Sequence, residues 1–478
     1  ATLNRQGAEP MTTRDLHEMT AAALSAGFAA RTVSPVDVAT ALLDRIAAHD
    51  GKLNAFCLID RETSLAQARA SARRWEAGKP LSPLDGVPVA VKDLLLTDGW
   101  PTLRGSLTVD ASGPWTVDAP AVARLKEAGA VLIGKTTTPE FGWKGVTDSP
   151  LTGISRNPWN PDKTPGGSSG GSAAALAARL CPLALGTDGG GSIRMPAHFT
   201  GTYGLKPSFG RVPAWPLSLF GTLAHVGPMA RTVTDAAMLL DIIARPDARD
   251  WYALPPEDGF ADGLGDSVRG KRIAFSPRLG WAPVVDPEVE ALVALAADRF
   301  IELGAHVEAV DPPGGDPTDT FRTLWWVGAA TVLKDIPPDQ RAMVDPGLRA
   351  IAGEGAAIPL ADYLAATQAR GAYGSAMRQF MEDYDFLLTP SVATPAFDAG
   401  QLSPYADDGN AWLGWTPFSY PFNLTQQPAA SINCGFTAAG LPVGLQIVGR
   451  MFDDRGVLAA SRAYERSNPL HERPPPGH

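Results

Sequence analysis

Residues 164–207, TPGGSSGGSAAALAARLCPLALGTDGGGSIRMPAHFTGTYGLKP, place two glycine–serine clusters on either side of an apolar run. No other feature of the chain constrains the fold as strongly. A flexible linker is polar on both sides and has no packed neighbours, whereas these clusters bracket AAALAARLCPLALG, helix formers followed by a strand-like run. A phosphate cradle needs G-x-x-x-x-G-K-[ST], or G-x-G-x-x-G opening a helix after a strand, and neither pattern is present. The third reading fits better. Glycines ahead of a serine let successive backbone N–H groups turn toward one negative oxygen. In GTDGGGS the amides of Gly189, Gly190, Gly191 and Ser192 are candidate donors for such a cup, with Ser192 as candidate nucleophile.

A serine hydroxyl needs a base, and none of the seven histidines stands in a triad-like context. His198 is close in sequence but reads as a structural histidine. Lys92 is the alternative, because it ends GVPVAV, a run that buries its ammonium if it enters a sheet. To act as a base near neutral pH its pKa must fall by about 3, which costs on the order of 4 kcal/mol. Full burial shifts a lysine that far. A lysine distant from Ser192 requires a relay, and the first cluster supplies serines for one.

The rest of the pattern is α/β. Residues 11–77 read as helical, with Ser34-Pro35 as cap and first turn and Val38, Ala41, Leu42 and Ile46 on one face. LDGVPVAVKDLLL reads as a buried strand, and DAPAVARLKEAGAVLIGKT as a helix ending at Gly129 followed by a strand. KRIAFSP reads as a strand; a helix capped by Asp286 and a strand after Gly304 follow it. Strand–helix–strand spacing predicts parallel pairing and helices on both faces. The expectation is one large α/β domain over 11–478 with a mixed, mostly parallel twisted sheet. Residues 80–245 form its core and 315–380 a more helical elaboration. Residues 311–320 and 396–416 read as loops, and 1–10 as an extension.

Composition removes several classes. At 478 residues with 45% hydrophobic content the chain has ample material for a core. A net charge of −10 with no basic stripe argues against nucleic acid. The histidines and Cys57, Cys181 and Cys434 show no metal-ligand spacing, so no metal is expected. The three cysteines read as reduced core thiols. No apolar run is long enough to span a membrane and no signal peptide is visible. The expectation is a cytoplasmic protein without membrane or nucleic-acid partners, a monomer or homodimer acting on a small molecule.

At these residues the chain resembles the amidase signature family of serine hydrolases. GVPVAVKD, GKTTTPEFG, RNPWNPDKTPGGSSGGSAAA, GTDGGGSIRMPAHFTGTYGLKPSFGRV, GPMARTVTDAAMLLDI and FNLTQQPAASINCGFTAAGLPVGLQIVGR fit the family in order, across about 80–245 and 380–462. The resemblance implies a Ser–cisSer–Lys triad with Ser192 as nucleophile, Ser168 as the bridge after a cis peptide bond, and Lys92 as base. It also implies an oxyanion hole at Gly189–Ser192 and a cofactor-free acyl-enzyme mechanism. Ser169 is expected to tune the bridge, and Asp188 and Arg194 to orient the glycine loop, with each other.

Specificity lies outside the signature. Phe141, Gly142 and Trp143 follow KTTTPE, a stretch that lines the acyl pocket in relatives. Trp325, Trp326, Trp412, Trp415 and Phe418 occupy the variable half. If these aromatics face the cleft, an apolar or aryl amide is favoured, with carbamates and esters as side substrates. Two alternatives remain: the glutaminase component of a tRNA-dependent amidotransferase, and an inactive, interaction-only member of the fold.

Overall fold

The computed structural model describes residues 16–405 and 411–478. The 1–10 extension, the start of the helical N-terminal stretch and the centre of the 396–416 loop lie outside them.

Among the described residues eleven strands form one sheet. They are β1 Phe56–Leu58, β2 Pro88–Lys92, β3 Val131–Thr136, β6 Leu183–Asp188, β7 Tyr203–Lys206, β8 His225–Ala230, β9 Arg272–Phe275, β10 His306–Ala309, β11 Phe386–Pro390, β12 Ala429–Phe436 and β13 Pro442–Gly449. The short strands β4 Asp148–Ser149 and β5 Gly153–Ile154 pair separately. The order across the sheet is β1-β3-β2-β6-β8-β7-β12-β13-β11-β9-β10.

Parallel pairing is gathered in two wings, β3-β2-β6 and β11-β9-β10. Each wing contains one of the strand–helix–strand units read from the sequence. Between the wings the pairing is antiparallel, so the parallel share is smaller than that spacing predicts. For the β12–β13 pair the reason is connection length. β2 reaches β3 through helix Pro120–Glu127, and β9 reaches β10 through helix Pro287–Glu302, whereas residues 437–441 join β12 to β13 as a hairpin. A connection that short permits only antiparallel neighbours.

Helix Pro287–Glu302 shows how local chemistry builds these layers. The Asp286 carboxylate accepts from Glu288 N at 2.9 Å, Pro287 suits the first turn, and Val289, Val293, Ala296, Ala297 and Phe300 bury one face. The helical N-terminal stretch divides into helices Ala21–Ala30, Pro35–Leu53 and Arg61–Glu76. Edge strand β1, unforeseen in the pattern, interrupts them and pairs with β3. The expected loop 311–320 ends early at helix Thr318–Lys334, because Asp316 accepts from Thr318 N at 2.9 Å. Helices Pro346–Ala357 and Leu360–Asp383 complete the helical elaboration. Cys181 and Cys434 are core thiols, but Cys57 is exposed on β1 and is not. No helix among the described residues is long and apolar enough to cross a membrane.

His198, fully buried on helix Arg194–Thr200, accepts from Gly444 N at Nδ1 (2.8 Å), and its Nε2–H faces Thr394 O at 3.1 Å. This arrangement ties the helix to β13 and requires a neutral ring. Burial pushes the pKa down to about 4. The unfolded chain therefore binds the proton first, and this contribution to stability is lost as pH falls from about 6.5 toward 4. Denaturant titrations of wild type and His198→Gln between pH 7 and 4 are expected to show a steeper decline in wild type, by about 3 kcal/mol across the window.

Candidate active site

Lys92 is the last residue of β2 and is buried along with the whole strand. Because β2 and β6 run parallel and adjacent, in register from Val89↔Leu183 to Val91↔Leu185, their C-terminal ends bring Lys92 beside Thr187. Ser168 and Ser169 precede helix Gly170–Ala177, which leads into β6. The helix N-terminus thus meets the same end of the sheet, and the Gly167–Ser168 peptide bond is cis.

The result is a dry amine ringed by hydroxyls. Lys92 Nζ lies 2.6 Å from Ser168 Oγ, 2.9 Å from Ser169 Oγ and 2.8 Å from Thr187 Oγ1. Burial pushes its pKa well below the ordinary lysine value, against the opposing pull of the Asp188 carboxylate. A neutral amine has two N–H donors and one lone pair, so three hydroxyl partners fit only if one of them donates to it. Ser169 is not that one. Its hydroxyl donates to Thr187 O and accepts from Thr187 N, each at 3.2 Å. Ser168, the shortest contact, has no such commitment and lines the same cavity as Ser192. Ser169 N donates to Ser192 O at 3.1 Å, which joins the two serine clusters directly.

The glycine loop hangs on a buried ion pair. Arg194 Nε and Nη2 donate to the two oxygens of Asp188, both at 2.9 Å, with both side chains wholly buried. Burial alone raises the Asp188 carboxyl, but Arg194 outweighs it and holds the pKa well below the usual carboxylate range. Asp188 also accepts from Asn423 Nδ2 at 2.8 Å, Gly191 N at 2.7 Å and Ile193 N at 3.2 Å.

This corrects the expected oxyanion cup. The amide of Gly191 is committed to Asp188, which leaves Gly189, Gly190 and Ser192 as candidate donors. Gly191 has φ +125°, backbone that only glycine adopts readily. At Gly190 the reason is space. A Cβ there would meet Trp412 at 2.7 Å and Phe321 at 2.8 Å.

A cavity of about 360 Å³ opens over Ser168, Ser192 and Gly189. Of the residues expected in its wall, Phe141, Gly142 and Trp325 are there; Trp143, Trp326 and Trp415 are not. The Trp143 ring is buried against Gly347. Trp326 donates its indole N–H to Glu354 at 2.8 Å, and Trp415 donates to Leu402 O at 3.0 Å and stacks on Phe199. Trp412 packs behind Gly190, and Phe418 is core. Each fills a gap between segments distant in sequence.

The wall instead includes Phe209, Trp215, Phe220 and Tyr252, which sequence reasoning missed. The first three lie in PSFGRVPAWPLSLFG, which begins within the GTDGGGS…PSFGRV motif and runs on from it, and that continuity was the available signal. Phe220 stacks on Trp325 with ring centres 3.6 Å apart. Also missed were Thr187, Asn423, His225 and Lys206. The Lys206 amine is buried, donates to Gln427 O and lies 3.4 Å from His225 Nε2. His225 lines the cavity, with Nδ1 facing Leu223 O at 2.9 Å and Asp188 O at 3.2 Å. Burial, then the neighbouring Lys206, push its pKa well down, so it is neutral. Among the described residues no cluster of acids, histidines and cysteines has the arrangement to hold a metal ion.

The sequence profile of the amidase family matches residues 37–458. Over 473 residues the chain is 38% identical to an acylamidase of Rhodococcus erythropolis, covering 97% of this chain and 98% of that one. It is 39% identical over 490 residues to one component of the glutamyl-tRNA(Gln) amidotransferase of Myxococcus xanthus, covering 96% and 99%. The crystal structure of a bacterial aryl acylamidase of the amidase signature family superimposes with a TM-score of 0.91 at 32% identity, covering 97% and 99%.

Removing one partner of a buried ion pair leaves an uncompensated charge and typically costs about 3–5 kcal/mol. Asp188→Ala is therefore expected to lower unfolding stability by that order. Arg194→Ala is expected to do the same, and the double variant to lose less than the sum, measured by denaturant titration.

Proposed function

This chain belongs to the amidase family and is an amide hydrolase; from that premise we propose that it cleaves apolar and aryl amides through Ser192, Ser168 and Lys92, with carbamates and esters as side substrates. The observation that carries the site assignment is the buried Lys92 amine 2.6 Å from the Oγ of Ser168, a residue that lines the same cavity as Ser192. Neutral Lys92 draws the Ser168 proton as Ser168 takes the proton of Ser192. The Ser192 oxygen attacks the amide carbonyl. The amides of Gly189, Gly190 and Ser192 hold the oxyanion, each donor worth about 3–4 kcal/mol in the transition state. Ser168 returns a proton to the leaving amine, and water then cleaves the acyl-enzyme. No step uses a metal or cofactor.

Phe141, Phe209, Trp215, Phe220 and Trp325 around the cavity support an aryl or apolar substrate, as does the likeness to an aryl acylamidase. A carbamate presents a similar planar carbonyl to the same donors, which supports the side activity. The relatives among amidotransferase components favour a second reading, a glutaminase, and the aromatic wall weighs against it. The intact positions 92, 168 and 192 weigh against an inactive, interaction-only role.

Ser192→Ala is expected to abolish hydrolysis of an anilide and labelling by a fluorophosphonate while leaving the thermal midpoint within a few degrees. Substantial remaining turnover overturns the nucleophile assignment. Hydrolysis of glutamine in preference to any anilide overturns the substrate class. Lys92→Ala is expected to lower kcat at least about a thousandfold, since members of a catalytic unit do not contribute additively.

A protonated amine cannot accept a proton, so kcat/KM is expected to fall as pH drops through a group titrating well below the ordinary lysine value. A kcat/KM that does not fall on the acid side at all, over the range in which the protein stays folded, contradicts Lys92 as base.

A further inference from the structure

Among the described residues, Arg104 is the one lysine or arginine in the cavity wall. Its guanidinium makes no hydrogen bond, ion pair or ring contact among those residues, although its backbone is held firmly. Arg104 N donates to Asp93 Oδ2 at 2.9 Å, and Arg104 O accepts from Phe141 N at 2.8 Å. Both contacts are ones that any residue supplies. The conformation itself disfavours an arginine: φ is +56°, a region where glycine and asparagine are preferred. The backbone therefore gives no reason for an arginine here, and the side chain must.

Among the described residues the fold offers the guanidinium no carboxylate. Asp93, whose charge is nearest, contacts Lys135 Nζ at 3.2 Å and the Arg104 amide with its two oxygens. Asp250, the one acid among the described wall residues, accepts from Ala214 N and Tyr252 N, each at 2.8 Å. His225 is neutral. A half-buried guanidinium on a residue lining a mostly apolar cavity lacks both full hydration and a paired counter-charge, and burial lowers its pKa against the pull of Asp93. A carboxylate is the partner that matches its planar fork with two parallel hydrogen bonds.

We propose that Arg104 is a specificity residue whose guanidinium takes a carboxylate that the amide substrate carries away from the scissile bond. The substrate class is then an amide with an apolar or aryl body and a distal carboxylate, such as a dicarboxylic acid monoanilide or an acylated aminobenzoate. This inference rests on the amide-hydrolase reading of the same site and narrows its substrate.

The test compares three amides: hexananilide, the monoanilide of adipic acid and N-hexanoyl-4-aminobenzoate. Wild type is expected to favour at least one of the acids over the neutral anilide by about tenfold or more in kcat/KM, the size of a charge-assisted hydrogen-bond pair, and mainly through KM. Arg104→Asn, which suits the positive φ, is expected to erase that acid-over-neutral ratio, and Arg104→Lys to restore part of it. Calorimetric titration of the same ligands into Ser192→Ala, with and without Arg104→Asn, reads the ratio without turnover. Acid binding that depends on Arg104, without hydrolysis of any amide by wild type, overturns the catalytic reading and leaves the carboxylate site standing. No acid preference in wild type, or a ratio unchanged in a folded Arg104→Asn protein, overturns this proposal.

Discussion

The rest of the site depends on withdrawing one ammonium group from water. Lys92 ends a strand that is buried on every side, where the charged form of its amine is disfavoured and the neutral form finds three hydroxyls. Those hydroxyls come from the entry of one helix and the end of a neighbouring strand. They converge because β2 and β6 are parallel and adjacent, so the ends of both strands, and the helix N-terminus between them, open on the same side. An antiparallel pairing there would send Thr187 to the opposite edge of the sheet. The parallel wing is thus a chemical requirement of the site as well as a consequence of the crossover helices.

The glycine loop has two sides with different demands. On one side the Asp188 carboxylate gathers Arg194, Asn423 and two backbone amides, which aligns the loop at the cost of one potential donor, Gly191. On the other side Trp412, Phe321 and Trp325 press so closely on Gly189 and Gly190 that a side chain at either would collide with them. Trp325 alone serves both functions, since it backs the loop and also reaches the cavity, where Phe220 stacks on it. Aromatic residues in the variable half therefore act first as a rigid support for the loop. Much of the cavity wall comes instead from residues 207–221, the segment between β7 and β8.

Local chemistry made a large part of this molecule legible in the sequence. The Asp286 cap, the Ser34-Pro35 helix start, the buried valine run ending at Lys92 and the two glycine–serine clusters each carry their reason within a few residues, through capping, periodicity or φ preference. Lys92, Ser168 and Ser192 could be named for the same reason, with the family resemblance selecting Ser168 over Ser169. The hydrogen bonds that tie Ser169 to Thr187 supply an independent physical ground for that choice.

Side chains whose role depends on partners far along the chain were not legible. Trp143, Trp326 and Trp415 are as aromatic as Phe209, Trp215 and Phe220, and only packing separates structural wedges from cavity wall. Gly191 is the short-range exception: its partner Asp188 lies only three residues back, and the folded loop puts that carboxylate on its amide. Arg104 looks like any surface arginine until the loop after Asp93 folds back against Phe141 and places it in the cavity wall. Residue types and short spacings determined which groups are candidates for nucleophile, base and glycine loop, because each candidate is marked by a few adjacent residues. Tertiary structure decided which of the distant groups meet and which line the cavity, because desolvation and close packing arise between segments separated by tens to hundreds of residues.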